Sequence, residues 1–340
     1  MSSAMSSKVG LLMVNLGSPD APNAKATRKY LFEFLHDYRV IDTSRWIWCP
    51  ILHGIILRTR PAKSAEAYAS IWNEPEFSDR DDFVDTAPLI RITQAQANGV
   101  QSILGEDIEV EIAMRYGNPS IGSAIDRLTE KGCQKIAVLP LYPQFAGATT
   151  ASVFDGVAKA IKKRMDMPEI RFLRHYYDDP RYIKALADSL NEHLETLDWT
   201  PDAIMTSYHG LPQSYVEKGD PYQGECLKTT ELLREHMGHS EDYLYATFQS
   251  RFGPKAWLQP YTDKTLEKLP SQGVKNVAVM MPGFSSDCLE TLEEIKIEAD
   301  ESFKEHGGEK FTAVPCLNSR EDHIALLAAL AKEQLLNGWL

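Results

Sequence analysis

The residues from Val277 to Asp300 read VAVMMPGFSSDCLETLEEIKIEAD. The apolar run that opens this stretch predicts a buried strand, the Pro282–Gly283 pair predicts a turn, and the residues after the turn predict a helix. A strand that leads directly into a helix is one half of the βαβ unit from which parallel sheets are built. The stretch therefore predicts an α/β fold.

The helix predicted after the turn carries three carboxylates, on Glu290, Glu294 and Glu298. Spacings of four place them on one face of a regular α-helix. Like charges at this spacing destabilise an isolated helix by roughly a few tenths of a kcal/mol per pair, so a purely structural reason for them is weak. The structural alternative is that the three carboxylates form a solvated, Glu-rich helix face without a ligand. We favour a helix that handles a cation.

Short apolar runs alternate with helical patterns along the whole chain, which is typical of a parallel sheet. Four strands are predicted in each half of the sequence, at 9–16, 108–114, 135–141, 170–173, 203–207, 243–248, 276–281 and 311–314. The two halves resemble each other, because Gly132-x-x-x-Ile136-Ala137-Val138 recurs 141 residues later as Gly273-x-x-x-Val277-Ala278-Val279. The sequence thus predicts two similar Rossmann-like domains, each a four-stranded parallel sheet flanked by helices.

The predicted domain boundaries are 1–178 for the first domain and 179–318 for the second. A C-terminal helix in 319–340 is expected to pack back on the first domain. Residues from about 30 to 95 have no counterpart in the second half, so they are interpreted as an insertion that forms a lip over one edge of the site. The insertion includes the polar stretch EPEFSDRDDFVD, 74–85.

The lip contains the most apolar stretch of the chain, WIWCPILHGIIL, from Trp46 to Leu57. It is too short to span a bilayer and is interrupted by Pro50 and Gly54, which is more typical of a buried core segment. Its two tryptophans and the nearby Arg45, Arg58 and Arg60 also resemble an interfacial anchor. Peripheral contact with a membrane is the alternative that the sequence leaves open.

Charge and cysteine content restrict the classes of function. The 36 Lys and Arg against 48 Asp and Glu give a net charge of -12, which argues against a nucleic-acid partner. The five cysteines have no paired spacing of the kind that binds zinc or an iron–sulfur cluster. A polar leader without an apolar region predicts a cytoplasmic protein. No obligate protein partner is implied.

Ligands of open α/β sheets bind beyond the carboxyl ends of the strands, where the loops of this chain carry its unusual residues. His209 follows the strand predicted at 203–207 and can accept a proton at neutral pH. The alternative is that His209 has only a structural role as a hydrogen-bonding residue. Aromatic and arginine side chains gather at the same strand ends, which suits a flat ligand that carries carboxylates.

Six motifs in order are similar to those of the ferrochelatase family, which inserts ferrous iron into protoporphyrin IX. They are LLMVNLGSPD, AMRYGNP, LPLYPQFAGATT, SYHGLPQSYVEKGDPY, FQSRFGPKAWLQPYTD and PGFSSDCLETLEEI. The resemblance covers nearly the whole chain. It implies two Rossmann-like domains that enclose a porphyrin cleft, with Fe²⁺ and protoporphyrin IX as substrates and protohaem as product.

The resemblance also implies roles for particular residues. His209 and Glu290 would be catalytic, and His209, Glu290, Glu294 and Glu298 would contact the metal. The porphyrin pocket would be lined by Leu16, Arg115, Tyr116, Tyr142, Trp257 and Phe284. Cys288 stands where animal members carry a histidine, which puts a ligand role there in doubt. Gly147 replaces a cluster cysteine of the iron–sulfur members, so no permanently bound cofactor and a bacterial type are expected.

Other functions remain compatible with the residues. One is a chelatase for another tetrapyrrole, such as coproporphyrin or a cobalt corrinoid precursor. A second, from a different class, is a haem carrier without catalytic activity. A solute-binding protein of two similar domains is disfavoured by the leader sequence.

Overall fold

The computed structural model describes residues 8–73 and 86–339, and the polar stretch 74–85 of the predicted lip lies outside them. The described residues divide into two compact units. Unit 1 takes those of Met1–Leu141, Gly147–Arg174 and Ser319–Leu340, and unit 2 takes Tyr142–Ala146 and His175–Asn318. The chain thus enters unit 2 twice, first through a five-residue loop and then after Arg174.

Unit 1 contains a four-stranded parallel sheet in the order β2-β1-β3-β4. Its elements up to the end of the sheet are β1 (Lys8–Asn15), α1 (Ala24–Leu35), α2 (Arg45–Ile51), a π-helical turn (Leu52–Ile56), α3 (Leu57–Ile71), α4 (Pro88–Leu104), β2 (Ile108–Met114), α5 (Ile121–Glu130), β3 (Cys133–Pro140), a second π-helical turn (Gly147–Ala151), α6 (Ser152–Ile161) and β4 (Glu169–Phe172).

Unit 2 repeats this topology with the order β6-β5-β7-β8, again parallel throughout. Its elements are α7 (Pro180–Glu195), β5 (Ala203–His209), α8 (Gln213–Glu217), α9 (Tyr222–Met237), β6 (Leu244–Gln249), α10 (Thr262–Lys268), a 3₁₀ turn (Leu269–Gln272), β7 (Asn276–Met280), α11 (Leu289–Leu292), a π-helical turn (Glu294–Ala299), α12 (Asp300–Glu305) and β8 (Lys310–Ala313). The same strand order in both units matches the repeat in the sequence.

The inner strands of each sheet form where they do because they are buried on both faces. Leu11, Leu12, Met13 and Val14 in β1 have no exposed side-chain surface. The last five residues of β3, the first six of β5 and the last four of β7 are likewise buried without interruption. Helices on both faces of a parallel sheet require such uninterrupted apolar runs. Each observed strand lies within two residues of its predicted bounds. The predicted α/β fold with two four-stranded parallel sheets is confirmed.

The chain ends in α13 (Glu321–Leu330) and a π-helical turn (Ala331–Leu335), both in unit 1. α13 packs on α4 at Gly99, where an added Cβ would lie 2.5 Å from the side chain of Ile324. No helix in the described ranges is both long enough and apolar enough to cross a bilayer.

The apolar stretch of the lip differs from the expected core segment. It is helical throughout, and Trp48 and Leu52 are buried, whereas the side chain of Trp46 is 92% exposed and that of Ile47 is 61% exposed. Trp48 also donates its indole N–H to the carbonyl of Leu35 at 2.8 Å. The run is apolar on every side, but within the described ranges its burial is concentrated on the face that carries Trp48, Leu52 and Ile56. The expectation of a fully buried segment is therefore wrong for its other face.

The acidic stretch is not the single regular α-helix that was predicted. α11 is only four residues long, and the backbone N–H of Glu298 bonds to the carbonyl of Glu293 at 2.9 Å, five residues earlier. Such π-helical turns are rare and occur frequently at functional sites.

Candidate active site

The strand order of unit 2 places its switch point between β5 and β7, because β6 lies on one side of β5 and β7 on the other. Ligands of open α/β sheets bind at this point, beyond the carboxyl ends of the strands. His209 is the last residue of β5, and the acidic stretch that starts at Glu290 follows β7. The topology therefore brings the two predicted catalytic residues to the same edge of one sheet.

His209 has a defined tautomer in its neutral form. Its Nδ1 lies 2.8 Å from the carbonyl oxygen of Gly210. A carbonyl only accepts, so Nδ1 carries the hydrogen and donates it. The lone pair of the neutral ring is then on Nε2, which can accept a proton or bind a metal ion.

The backbone beside His209 accommodates only a glycine. A Cβ on Gly210 would lie 2.8 Å from the carbonyl oxygen of Gln249, which accepts the Gly210 N–H, and 3.2 Å from the ring of Trp257. The indole N–H of Trp257 donates to the carbonyl of Phe252 at 2.9 Å. Close backbone packing at Gly210 thus fixes Trp257, a predicted porphyrin-lining residue, near His209.

Glu294 is the most tightly held carboxylate at this edge. Its Oε1 accepts the backbone N–H of Ser250 at 2.7 Å, and its Oε2 accepts the Ser250 hydroxyl and the Gln249 amide. Ser250 has φ 62°, a left-handed conformation that non-glycine residues rarely adopt. Strained residues of this kind cluster at functional sites.

Burial raises the pKa of Glu294 above its ordinary value. The hydrogen bond from Ser250 and the charge of His209 oppose the rise, whereas the charge of Glu290 adds to it. Glu294 is therefore within electrostatic reach of both predicted catalytic residues. A carboxylate with a raised pKa holds a proton closer to neutrality, which is the property required of a general acid or base.

Glu290 lies in the first turn of α11. A buried network of polar side chains holds this end of the helix in place. The Asp287 carboxylate accepts the Thr291 hydroxyl at 2.8 Å and the Asn318 amide at 2.6 Å, while the Asn318 side chain accepts the Asp287 N–H at 2.8 Å. The amide of Gln249 donates to the Glu290 carbonyl at 2.8 Å. Sequence reasoning missed Asp287, Gln249 and Asn318, since none stands in a recognisable spacing.

Cys288 and Glu298 are less suited to bind a metal. Burial raises the pKa of the Cys288 thiol, and the charge of Glu290 adds to the rise, so the thiol stays protonated and is a poor ligand. Glu298 is exposed. Across residues 8–73 and 86–339 no three His, Cys, Asp or Glu side chains are grouped for metal binding. The metal contacts of His209, Glu290, Glu294 and Glu298 stay a prediction.

The loop Tyr142–Ala146 contributes Tyr142, another predicted porphyrin-lining residue, and is anchored to α9. The Glu225 carboxylate accepts the Phe145 N–H at 2.7 Å and lies 2.9 Å from Nδ1 of His175. The Gln144 amide donates to the Thr229 hydroxyl at 3.0 Å. Phe284, half-buried, packs on the apolar core beneath β7.

Unit 1 holds the other three predicted porphyrin-lining residues at the ends of β1 and β2. The Tyr116 N–H donates to the carbonyl of Leu16 at 2.9 Å. Gly17, with φ 107°, permits this approach, because an added Cβ would lie 1.9 Å from the Tyr116 carbonyl oxygen. Arg115 stacks on the Tyr116 ring at 4.5 Å.

Asp37 ties these residues together and was not predicted. One of its oxygens accepts from the Arg115 guanidinium, from the Tyr116 hydroxyl at 2.8 Å and from the Ser152 hydroxyl at 2.5 Å. Burial opposes ionisation of Asp37, but these hydrogen bonds, the Arg39 N–H and the charge of Arg115 outweigh burial and lower its pKa. Tyr116 is buried and its hydroxyl is engaged, so Arg115 and Leu16 are the more accessible members.

Comparison with known proteins finds relatives that match nearly the whole chain. The family model described as Ferrochelatase matches residues 8–335. A ferrochelatase of Brucella canis is 50% identical over 340 residues, which are 99% of this chain and 94% of that protein. A ferrochelatase of Rhizobium meliloti is 50% identical over 335 residues, 98% of this chain and 96% of that protein.

Solved structures share the fold at low sequence identity. SirB from Bacillus subtilis with Fe³⁺ superposes with a TM-score of 0.57 at 12% identity and covers 98% of this chain and 97% of its own. The sirohydrochlorin chelatase SirB of Bacillus subtilis subspecies spizizenii, in complex with cobalt, gives 0.54 at 11% identity and covers 97% and 98%. The structural likeness at this identity supports the fold alone. The sequence match over almost the full length also supports membership of the family. The chain belongs to the ferrochelatase family and is a metal chelatase, a lyase that inserts iron in haem biosynthesis.

Proposed function

We propose that this chelatase inserts Fe²⁺ into protoporphyrin IX, releases two protons and forms protohaem. Each Fe²⁺ that enters the free-base macrocycle replaces two N–H protons, so the site must supply proton acceptors as well as a path for the metal. The observation that carries the proposal is the placement of His209 and the half-buried Glu294 at the switch point of unit 2, where the charge of His209 acts on the Glu294 carboxylate. It lies in a chain of the ferrochelatase family.

His209 takes the pyrrole protons in this proposal. Its Nε2 is unprotonated in the neutral ring because Nδ1 donates to Gly210. Glu294 and Glu290 receive protons from His209 or help to strip water from Fe²⁺, and the exposed Glu298 lies further along the same stretch. Oxygen-rich sites release hard cations readily, which suits a metal that is a substrate.

Leu16, Arg115, Tyr142, Trp257 and Phe284 bind the macrocycle. The aromatic rings offer flat apolar surfaces. Arg115 is suited to a propionate because a guanidinium group can donate two parallel hydrogen bonds to one carboxylate. Tyr116, buried beneath Arg115, orients the guanidinium through the ring contact at 4.5 Å.

No resident cofactor forms part of this proposal, and Fe²⁺ enters as a substrate. Four of the five cysteines (Cys133, Cys226, Cys288 and Cys316) are buried. Burial raises the pKa of each of these thiols, which disfavours the thiolates that an iron–sulfur cluster needs.

We further propose that α2 and the turn after it touch the membrane surface. Trp46, Ile47, Ile51 and Ile55 expose an apolar face there. Indoles favour the headgroup region of a bilayer, and the flanking arginines favour anionic lipid. An apolar lip also favours protoporphyrin IX over more heavily carboxylated tetrapyrroles.

An anaerobic assay of Fe²⁺ insertion into protoporphyrin IX tests the main proposal, with loss of porphyrin fluorescence and gain of haem absorbance as readouts. His209→Ala is expected to abolish turnover while porphyrin binding persists in difference spectra. His193→Ala serves as the control, because His193 in α7 bonds to Thr312 and takes no part in the site. Near-normal turnover in His209→Ala would exclude the assigned role.

The same assay separates the alternatives. Coproporphyrin and sirohydrochlorin, each with Fe²⁺, Co²⁺ or Zn²⁺, are expected to react more slowly than protoporphyrin IX with Fe²⁺. A haem carrier would bind haem stoichiometrically and would show no absorbance change on mixing porphyrin with Fe²⁺.

A further inference from the structure

Two histidines of unit 1 lie side by side outside the candidate active site. His36 caps the C-terminus of α1, and His53 lies in the π-helical turn that follows α2. Their Nε2 atoms are 3.2 Å apart, and their ring centroids are 5.0 Å apart. Two separate elements thus present the same ring nitrogen to one point.

The proton positions leave this point ready for a metal. Nδ1 of His36 lies 2.6 Å from the carbonyl oxygen of Phe32, so Nδ1 carries a hydrogen and Nε2 of the neutral ring has the lone pair. The contact between the two rings then requires His53 to donate from its own Nε2. If the His53 hydrogen moves to Nδ1, both Nε2 atoms carry lone pairs, and the two nitrogens are close enough to share one ion. The carbonyl of Phe32 plays the part that second-shell acceptors play for metal-bound histidines.

The separation of the two nitrogens fits a shared ion. Bonds of about 2.0–2.1 Å from each Nε2 to one metal, with the nitrogens 3.2 Å apart, subtend about 100° at the ion. This lies between the octahedral and tetrahedral angles. Imidazole nitrogens favour Zn²⁺, Cu²⁺, Ni²⁺ and Fe²⁺ over Mg²⁺ or Ca²⁺.

The surroundings indicate an open site that exchanges its ion. The ring of Phe32 lies 4.2 Å from that of His36 and 5.7 Å from that of His53, so it covers one side of the pair. No third His, Cys, Asp or Glu of the described ranges completes a group with them. Water would fill the remaining positions on the exposed side.

We propose that His36 and His53 bind one divalent transition-metal ion through their Nε2 atoms. Neither histidine is among the residues assigned to the chelatase reaction: both belong to unit 1, whereas His209, Glu290 and Glu294 belong to unit 2. A bound ion links the end of α1 to the π-helical turn after α2. A plain hydrogen bond between the half-buried His36 and the exposed His53 is the alternative that an experiment must separate.

Zn²⁺ binding to the full chain tests the proposal, measured by equilibrium dialysis with metal analysis. The measurements use a His209→Ala background, so that Zn²⁺ bound at the proposed catalytic contact does not obscure the result. One equivalent of Zn²⁺ is expected to bind. Either His36→Ala or His53→Ala should weaken that binding at least about tenfold. Co²⁺ gives a second readout through the visible absorbance of its imidazole complex.

Two further variants make the outcome specific. His53→Gln can still donate a hydrogen bond to His36 but has no imidazole, so it should lose Zn²⁺ and keep the fold. His306→Ala is the matched control, because His306 caps α12 with the same bond to the carbonyl four residues earlier and has no histidine partner in the described contacts. Equal Zn²⁺ binding by the His209→Ala protein with and without the added His36→Ala or His53→Gln change would mean adventitious binding elsewhere and would overturn the proposal.

Discussion

Ser250 determines where the Glu294 carboxylate lies, because it offers both its backbone N–H and its hydroxyl from a left-handed conformation. Glu294→Gln is expected to lower the rate of Fe²⁺ insertion by about 100-fold, the lower range for a general acid or base. The amide can neither take up a proton nor carry the negative charge. Initial rates at saturating porphyrin measure the effect.

The difference in stability between wild type and the same variant should depend on pH in a defined direction. Burial raises the pKa of Glu294, so the folded chain binds this proton more tightly than the unfolded chain. Wild type should therefore gain stability relative to Glu294→Gln as the pH falls from 7 towards the unfolded value near 4.3. Urea denaturation at pH 7 and pH 5 checks the sign, and a difference that moves the other way would contradict it. Glu298→Gln, at an exposed position, should show neither effect strongly.

Asp37 acts by holding Arg115 and Tyr116 rather than by touching a substrate. Asp37→Asn removes a charge whose side chain is only 7% exposed and leaves Arg115 unpaired, so the free energy of unfolding at pH 7 should fall by about 2–3 kcal/mol. The pKa of Asp37 is lowered, so its contribution is complete above the unfolded value near 3.9 and is lost as the pH falls through the folded value.

Chemical denaturation at pH 7 and again near pH 3 measures this change, and the gap between wild type and variant should narrow at the lower pH. Asp155→Asn is the control. Asp155 pairs with Arg39 at the surface, with both side chains more than 40% exposed, so its loss should cost less than about 1 kcal/mol. Equal losses from the two variants would argue against the buried tie.

At the scale of elements, α2 and the turn after it present one buried face and one exposed apolar face. A double variant, Trp46→Ser with Ile47→Ser, should weaken binding to phosphatidylglycerol vesicles by at least about tenfold. Burial of these side chains in the interface is expected to contribute more than the 1.4 kcal/mol that a factor of ten requires. Sedimentation with vesicles measures the bound fraction.

Ile103→Ser in α4 is the matched control for that experiment, since Ile103 is a similarly exposed apolar residue on another helix. It should bind vesicles as wild type does. If the double variant binds vesicles as strongly as wild type and Ile103→Ser do, the exposed face of α2 does not bind the membrane.

The inner strands were predictable because burial on both faces leaves a continuous apolar run that a short window detects. The helices near the site were less predictable from the sequence. The spacing of Glu290, Glu294 and Glu298 predicted a regular α-helix, and no sequence pattern indicates that the bonding changes to five-residue steps after α11. The apolar run in the lip predicted burial because sequence does not tell which faces of a helix find a neighbour.

At the scale of the whole molecule, the C-terminus is fastened to the edge strand of unit 1. Arg171 in β4 donates to the carbonyls of Leu335 and Asn337 at 2.9 and 2.7 Å, and it lies 4.2 Å from the ring of Trp339. Arg171→Ala should therefore lower the free energy of unfolding by about 2 kcal/mol. It should also speed hydrogen exchange in 331–339.

Lys310→Ala provides the comparison, because Lys310 pairs with Asp198 and lies over Trp199 at a more exposed position of unit 2. Its effect should stay below about 1 kcal/mol. Unchanged exchange in 331–339 of Arg171→Ala would show that the segment is held by its apolar contacts instead.

The sequence predicted much of the candidate site through strand ends, since His209 and Glu290 each follow a recognisable strand. It could not predict the side chains that hold them. Asp37 and Arg115 are 78 residues apart, Phe145 and Glu225 are 80 apart, and Asp287 and Asn318 are 31 apart. Such pairs form only when the sheets have brought distant loops together, so no local pattern records them. The loop Tyr142–Ala146 joins unit 2 for the same reason.

The five-residue hydrogen bonding in Glu294–Ala299 makes the length of this segment as important as its composition. Deleting one residue there, such as Lys296, would tighten the turn to an ordinary α-turn and rotate α12 by about 100° relative to α11. Ile295 and Phe303, both buried in the same core cluster, could then no longer face that core together while Glu294 stays on Ser250. Substitutions in this stretch can be absorbed one side chain at a time, whereas a single deletion would force a choice between the core and the carboxylates.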